Sequence, residues 1–274
     1  MWGGDRLTRG LGADFASKGG TGERIGEAWF GEIGDPRPLV KLLDVQERLS
    51  VQVHPDDALA VRLNGATAIG KHEAWVILDA VPGAQILLGR NPSVSAEQVS
   101  AALESGGNIE ALLARVPVSA GDALDVPPGT LHALMPGLLV WEVQQPSDLT
   151  YRVSDWGRQH LDRPLHLREA RLATDASATA QRLPGIDWAT PGVQRIVSNR
   201  AFQVSAVVGP WSGELNTLHG ATLTLVTRDS AEAQAHVDGT GLHTLQSARC
   251  EGQSTGAALS AGAALLVAGP GLSA

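Results

Sequence analysis

The feature that most constrains this chain is the division of its apolar residues into short, regularly spaced runs. Runs typical of β-strands cover residues 39–54, 73–88, 123–134, 138–145 and 149–153, and Gly, Pro and Asp separate them. The chain of 274 residues holds 32 Gly and 15 Pro, so turns are frequent and long helices have little room. Short strands with turn signals between them predict an all-β architecture.

Two stretches depart from this pattern and have helical spacing. Residues 95–116 begin with Ser95, a candidate N-cap, and carry apolar residues at helical spacing that a Gly-Gly pair interrupts. We predict an inserted helical pair at this place. A second helical stretch is predicted from residue 163, and residues 174–185 contain few core-forming side chains and are predicted to form a linker.

The β pattern resumes after residue 193 and contains a partial internal repeat. Residues 118–129 resemble residues 259–271, with Gly121 matching Gly262. The match predicts two related β units. The second unit lacks counterparts of Pro127, Gly129 and the following His132. Chance similarity in a chain rich in Ala and Gly is the alternative.

Composition and charge exclude several classes of protein. The formal net charge is −8 and no Lys/Arg run is present, which argues against a nucleic-acid partner. A single cysteine rules out an internal disulfide framework. No basic-then-apolar leader and no apolar run of about 18 residues is found, so we expect a soluble, cytoplasmic protein without a membrane partner.

One turn motif predicts a histidine inside a small barrel. Gly121, Pro127, Gly129 and His132 fit the pattern Gly-x5-Pro-x-Gly-x2-His, which resembles the second sequence motif of the cupins at all four fixed positions. The Pro-Pro-Gly turn would deliver His132 onto the next strand, since glycine accepts a positive φ. For His132 alone, a hydrogen-bonded core histidine is the alternative.

Polar residues at alternate positions of two other predicted strands could meet His132 inside the barrel. In "LSVQVHPDD", residues 49–57, Gln52 and His54 lie two apart and so face the same side of a strand, about 6–7 Å from each other. In "GKHEAWVIL", Lys71 and Glu73 share one face, while His72 points to the other. We therefore interpret His72 as a neighbour of the site or a surface residue, rather than a ligand.

Four of these side chains form a set of nitrogen and oxygen ligands that suits Zn²⁺, with Mn²⁺, Co²⁺ or Fe²⁺ as alternatives. They are Gln52, His54, Glu73 and His132. Taken singly, Glu73 could be a surface strand residue and Gln52 a hydrogen-bonded core amide. Together with the cupin-like turn, they predict one metal site per chain.

Several segments, met in order from Trp2 to about Arg168, resemble the type I mannose-6-phosphate isomerases in their short bacterial form. They are "WGGDRL", "GERIGEAW", "LSVQVHPDD", "GKHEAWVIL", "VPPGTLHAL" and "WEVQQPSDLTYRVSDWGR". One departure is His72, where the family usually has a small polar residue. Beyond residue 193 only a general β pattern is shared.

The resemblance implies a role for each candidate residue. It implies metal ligation by Gln52, His54, Glu73 and His132. It implies a position beside the reacting carbons for Arg152 and active-site positions for Lys71 and Glu142. It also implies phosphate binding by Ser50 and Arg158. Strand alternation supports Glu142, because that residue shares a face with Leu138 and Val140. Solvated arginines are the alternative for Arg152 and Arg158. The general base, Lys71 or Glu142, stays open.

The resemblance also implies a fold and an activity. We expect a mainly β chain of double-stranded β-helix (cupin) barrels, with a metal-binding catalytic domain over residues 1–168, a helix and linker over 169–192, and a degenerate cupin-like domain over 193–274. The helical insertion would occupy residues 95–116. The expected partner is a small sugar phosphate, bound by a monomer or homodimer.

The expected activity is the interconversion of mannose 6-phosphate and fructose 6-phosphate through an enediol or enediolate. The alternative is a non-catalytic sugar-phosphate-binding or regulatory cupin with a vestigial site, although no member of the ligand set is missing. Cupins of other chemistry more often use a compact His-x-His-x3–4-Glu motif. The separation of 19 positions from His54 to Glu73 argues against that class.

Overall fold

Four antiparallel sheets build the protein. The structure, a computed structural model, describes residues 2–11, 24–158, 164–216, 221–228, 233–250 and 254–270. Sheet I contains, in spatial order, β1 (Glu27–Phe30), β2 (Leu39–Val45), β9 (Leu138–Gln144), β4 (Glu73–Ala80), β7 (Ala123–Val126) and β11 (Gln181–Leu183). Sheet II contains β10 (Tyr151–Ser154), β3 (Val51–Val53), β8 (His132–Leu134), β5 (Gln85–Arg90) and β6 (Leu113–Pro117).

The C-terminal half repeats this two-sheet arrangement. Sheet III contains β12 (Gly192–Ser198), β13 (Phe202–Val208), β20 (Ala263–Pro270), β15 (Ala221–Thr227) and β18 (Ser247–Cys250). Sheet IV contains β14 (Trp211–Asn216), β19 (Ser254–Leu259), β16 (Ala235–Val237) and β17 (Thr240–Leu242). We call the pair of sheets I and II barrel 1, and the pair of sheets III and IV barrel 2.

Alternation along each strand decides which side chains enter a barrel. In β4, Trp75 and Ile77 join an apolar cluster with Ile86 and Leu88 of β5 between sheets I and II. Leu223 and Leu225 of β15 belong to the corresponding cluster between sheets III and IV. Each barrel therefore has its own apolar interior, as the period of two residues requires.

The outer face of sheet I packs against sheet III. Val40, Trp141 and Val143 of sheet I share a buried cluster with Phe202 and Val204 of sheet III. At its centre the Trp141 indole Nε1–H donates to the Thr224 hydroxyl oxygen, at 3.0 Å. Both faces of sheet I are thus covered, which explains why all seven residues of β2 and all seven of β9 are buried.

Helices cover the outer face of sheet II, except for the first one, whose Leu7 packs in the cluster between sheets I and III. Val99 and Leu103 of α3 (Ala96–Ser105) pack with Val51 and Val53 in a separate apolar cluster. The predicted N-cap is confirmed, because Ser95 and Gln98 form a reciprocal capping box. The remaining helices are α1 (Arg6–Leu11), α2 (Asp57–Asn64) and α4 (Leu167–Ala173), and α4 confirms the predicted second helical stretch.

Two local predictions are wrong. The second member of the helical pair is a single 3₁₀ turn, Ile109–Leu112, after which the chain extends into β6 and pairs with β5. The predicted linker contains β11, which pairs with β7 at the edge of sheet I. In both places an open sheet edge supplied hydrogen bonds that local sequence preference does not register.

The domain limits at residues 168 and 192 stay a prediction. Within the described residues, no helix is long and apolar enough to cross a bilayer.

Candidate metal centre and substrate cavity

Three strands of barrel 1 bring the predicted ligand residues together. Gln52 of β3 is directly opposite His132 of β8, and Glu73 begins β4 in the facing sheet. The turn before His132 is tied to this arrangement, because the Gly129 N–H donates to the His54 carbonyl oxygen at 2.9 Å. Gly129 has φ +88, a backbone conformation that glycine accepts readily.

His54, Glu73 and His132 form a compact, buried cluster. Their candidate ligand atoms all lie within 4.8 Å of one another. His54 Nε2 is 3.3 Å from Glu73 Oε1, and His132 Nε2 is 3.6 Å from Glu73 Oε2. Two imidazoles and one carboxylate around one point are typical of a divalent transition-metal site.

Backbone carbonyl groups orient both imidazoles for ligation. The Nδ1 atom of His54 is 2.9 Å from the Leu149 carbonyl oxygen, and the Nδ1 atom of His132 is 2.9 Å from the Thr130 carbonyl oxygen. A ring whose Nδ1–H donates to a carbonyl keeps the Nε2 lone pair for a metal. Both Nε2 atoms point toward Glu73, so the tautomers fit a bound cation.

The charge state of the cluster also fits a cation. Burial lowers the pKa of His54 to about 3, with nearby Lys71 acting in the same direction. Burial likewise lowers the pKa of His132. Burial alone would raise the pKa of Glu73, but Lys71 and His54 hold it well below its usual range. The cluster therefore presents two neutral imidazoles and a carboxylate, the forms that bind metals.

An orphaned nitrogen supports the same conclusion. Among the described residues, the buried Nε2 atom of His54 has no hydrogen-bond partner. Leaving a buried polar atom unsatisfied is costly, and such atoms in native proteins commonly contact an ion or water. The structure thus offers a polar, electron-rich space where the sequence predicted the metal.

Gln52 completes the predicted set at the edge of the cluster. Its side-chain amide lies 3.2 Å from His132 Nε2. Amide oxygen and nitrogen are assigned from the hydrogen-bond network, so the same side chain can turn its oxygen toward a cation. Its role as fourth ligand stays a prediction.

Lys71 forms a close ion pair with Glu73, and the residue before Lys71 packs tightly against a neighbouring stretch of backbone. Its Nζ atom is 2.8 Å from Glu73 Oε1. Burial alone would lower the pKa of Lys71, but Glu73 and Glu142 raise it above its ordinary value. A Cβ atom at the preceding residue, Gly70, would come within 2.6 Å of the Asp56 and Asp57 backbone, so glycine is required there.

Sequence reasoning missed a second buried lysine, Lys41. Its Nζ atom lies 3.5 Å from Glu142 Oε1 and 4.2 Å from the centre of a Trp29 ring. Burial, reinforced by Lys71, lowers the pKa of Lys41. The available signal was a lysine inside the apolar run "LVKLLDV", where a charged residue is unusual in a strand buried on both faces.

Glu142 is buried, which agrees with the prediction from strand alternation that it is not a surface residue. The Trp75 indole N–H donates to its Oε2 atom at 3.1 Å. Burial, with the nearby Glu73 carboxylate, raises the pKa of Glu142 to about 7. A carboxyl that titrates near neutrality inside a cavity can take up or release a proton there.

One cavity of about 700 Å³ connects these residues with the predicted substrate contacts. Its walls include Ser50, Gln52, Lys71, Glu73, Glu142, Arg152 and Arg158. The Arg152 backbone pairs with Gln52 across β10 and β3, which keeps it beside the cluster. The Arg158 guanidinium also lines the cavity, 2.6 Å from Asp155 Oδ1 and 3.8 Å from Glu47 Oε2.

His72 points away from the cluster, as predicted. Its Nε2 atom is 2.8 Å from Asp125 Oδ1, and its ring meets the ring of Phe202 edge to face. Phe202 begins β13 of barrel 2, so His72 lies between the two barrels. Two histidines of the C-terminal half, His236 and His243, take no part in the metal cluster found among the described residues.

Comparison with known proteins gives one consistent family name. No family model matches the chain. A probable mannose-6-phosphate isomerase of Bacillus subtilis, GmuF, is 47% identical over 135 residues, which are 48% of this chain and 42% of that protein. The mannose-6-phosphate isomerase of Streptococcus mutans is 42% identical over 135 residues, with the same coverage of 48% and 42%. The chain spans about half the length of the curated relatives it matches.

Solved structures extend the similarity to the whole chain. The mannose 6-phosphate isomerase of Bacillus subtilis is similar with a TM-score of 0.65 and 24% identity, over 97% of this chain and 95% of that one. A mannose 6-phosphate isomerase bound with zinc and yttrium gives a TM-score of 0.66 and 15% identity, over 99% and 96%. The predicted resemblance is confirmed, and the fold is the cupin fold of these isomerases.

Proposed function

We propose that this chain is a metal-dependent aldose–ketose isomerase that interconverts mannose 6-phosphate and fructose 6-phosphate. The observation that carries the proposal is the buried cluster of His54, Glu73 and His132, of which Glu73 lines a cavity together with Lys71 and Arg152. The relatives' names agree with it. A cytoplasmic location and one zinc ion per chain belong to the same proposal, with Mn²⁺, Co²⁺ or Fe²⁺ as alternatives.

Four residues would hold the ion: His54, Glu73 and His132, with Gln52 at the fourth position. A divalent cation bound there supplies Lewis-acid stabilisation of oxygens on the substrate. The protein's own contribution is to present neutral imidazoles and a carboxylate in fixed orientations, through the Leu149 and Thr130 carbonyl groups.

In the direction of fructose 6-phosphate, one proton passes from the C2 oxygen to the C1 oxygen and another passes from C2 to C1 of the sugar. Negative charge develops on oxygen when the proton on C2 is removed. Arg152 carries a permanent positive charge and lines the cavity beside Gln52, so it is suited to stabilise the developing charge. It would act without giving up a proton.

Glu142 is the better supported of the two candidate bases. Its pKa of about 7 leaves a large fraction of the carboxyl ionised at neutral pH, able to accept the proton and return it to the neighbouring carbon. Lys71 is held 2.8 Å from Glu73 as an ion pair. We therefore assign proton transfer to Glu142 and a charge-stabilising contact to Lys71.

The phosphate would bind at the end of the cavity away from the cluster. Ser50 lies on the same strand segment as Gln52, two residues earlier, and Arg158 lines the same wall. Binding energy from a group remote from the reaction can fix the orientation of the reacting carbons.

An isomerase assay with mannose 6-phosphate, coupled to detection of fructose 6-phosphate, tests the proposal. We expect turnover by the zinc-loaded chain, loss of turnover after chelation, and recovery when zinc is returned. Binding without turnover would instead support the non-catalytic sugar-phosphate-binding protein. Full turnover by a metal-stripped sample would refute the metal requirement.

A further inference from the structure

The phosphate end of the cavity contains a second arginine, Arg48, that the sequence resemblance did not assign. Arg48 and Arg158 line the same cavity as Ser50. They are also in direct contact, because Arg158 Nη2–H donates to the Arg48 carbonyl oxygen at 3.0 Å. Two guanidinium groups are therefore available where a phosphate would enter.

The two arginines differ in the partners that their charges already have. Arg158 is paired with Asp155 and Glu47. Within the described part of the chain, the Arg48 guanidinium makes no ion pair with a carboxylate, and its contact is with the ring of Trp156, 4.6 Å from the ring centre. Of the two arginines, Arg48 is consequently the one whose charge no carboxylate among the described residues balances.

Stacking on an indole leaves Arg48 free to bind an oxyanion. The Arg48 Cζ atom lies over the Trp156 ring, which offers no oxygen acceptor, so this contact leaves the guanidinium N–H donors available for an oxyanion. A phosphate takes such donors in pairs, as a carboxylate does. The stacked arginine is thus preoriented rather than neutralised.

Trp156 is itself held in place for this contact. It has φ +58, in the left-handed region that bulky side chains rarely adopt. Its indole N–H donates to the Leu49 carbonyl oxygen at 2.7 Å, and its backbone N–H donates to Ser154 Oγ at 3.2 Å. An uncommon backbone conformation fixed by two hydrogen bonds commonly marks a functional position.

We propose that Arg48, stacked on Trp156, is the residue that makes this cavity select a phosphorylated sugar. The inference rests on the proposed function and deepens it. Arg158, whose charge is shared with two carboxylates, would contribute by fixing the Arg48 backbone and by a weaker contact with the phosphate.

Steady-state kinetics of Arg48→Gln on the full-length, zinc-loaded chain test the inference. We expect KM for mannose 6-phosphate to rise about tenfold, because one charge-assisted contact is lost, while kcat changes less than twofold. Arg48→Lys keeps the charge but not the planar fork. Its KM should lie between that of the unmodified chain and that of Arg48→Gln. Because Arg48 is exposed, its replacement leaves the core intact.

Arg115→Gln is the matched control. Arg115 is another exposed arginine and lines a neighbouring groove with Arg48 and Trp156, but it does not line the cavity. We expect its KM to equal that of the unmodified chain. An equal rise in both variants would show a general effect of charge and would overturn the assignment, as would an unchanged KM in Arg48→Gln.

Calorimetric titration with inorganic phosphate separates this inference from the proposed function. The dissociation constant should rise about tenfold in Arg48→Gln and stay unchanged in Arg115→Gln. If the unmodified chain binds phosphate through Arg48 but does not isomerise mannose 6-phosphate, the proposed function fails and the anion site stands. Phosphate affinity that does not depend on Arg48 would overturn the site, whether or not the chain is active.

Discussion

Barrel 1 and barrel 2 share an architecture but differ in what fills them. The buried side chains of barrel 1 include Lys41, Lys71, Glu73 and Glu142 together with two histidines. Among the described residues after 193, the buried polar side chains are threonines alone: Thr222, Thr224 and Thr255. Since buried charges are costly, barrel 2 shows that this fold needs none of them for stability. The charges of barrel 1 are therefore best explained by its chemistry.

The internal repeat shows that the two barrels differ at the Pro-Pro-Gly turn that precedes His132 in barrel 1. Gly121 and Gly262 both have positive φ, of 93° and 79°, and each stands just before a strand, β7 or β20. Leu124 and Leu265, the matched residues that follow, belong to the interior clusters of barrels 1 and 2 respectively. In barrel 2 the matched strand runs to Pro270, and the sequence has Ala268, Pro270 and Ser273 at the positions that match Pro127, Gly129 and His132. Loss of one turn thus removes a ligand while the barrel is retained.

The comparison predicts its largest effect for His132→Ala. Removing a ligand from the cluster should abolish stoichiometric zinc and reduce turnover about 10³-fold or more, because several kcal/mol of charge stabilisation are lost. Metal analysis of the purified variant and the isomerase assay measure both. His236→Ala, on an exposed position of barrel 2, is the control and should keep zinc and full activity. Zinc retained at full occupancy by His132→Ala would contradict the cluster assignment.

A smaller effect is expected for Arg152→Ala. Loss of a fixed charge beside the developing oxyanion should lower kcat about 10²-fold, while zinc content and thermal stability stay close to those of the unmodified chain. Arg195→Ala, in β12 of barrel 2, should leave kcat unchanged. If Arg152→Ala retains the full rate, Arg152 has no part in the mechanism.

The smallest effect is the pH dependence that Glu142 should produce. Its pKa is raised to about 7, so the ionised form predominates above that pH and the protonated form below it. If ionised Glu142 accepts the proton, kcat should be constant at alkaline pH and fall about tenfold for each unit below 7. Glu142→Gln should have a low kcat without that acidic limb. An acidic limb that survives in Glu142→Gln would assign the titration to another group.

Sequence alone predicted the site better than it predicted the edges of the sheets. Strand alternation put Gln52 and His54 on one face of a strand and predicted that Glu142 is not a surface residue, because a period of two residues is fixed by backbone geometry. The 3₁₀ turn at Ile109–Leu112 and the strand β11 were missed, because pairing at a sheet edge depends on a partner distant in the chain.

Two site features could not be derived from local sequence. Lys41 stands out in an apolar run, but it lines the cavity because it shares the inward face of β2 with Leu43, and local sequence does not show which face is inward when sheet III buries the other. Arg48 owes its orientation to Trp156, more than 100 residues later in the chain, as the Trp156–Leu49 hydrogen bond shows. Such long-range contacts are outside the reach of periodicity and motif spacing.

The contact between His72 and Phe202 affects how variants of barrel 2 should be interpreted. His72 stands between Lys71 and Glu73, and the aromatic ring that supports it comes from the other barrel. A substitution that loosens β13 can therefore disturb the cluster from a distance, with reduced turnover and an unchanged set of ligands. A screen that measures activity alone would mistake such structural positions in β13 for residues that take part in the reaction. Measuring zinc content and folding in parallel would distinguish the two kinds of residue.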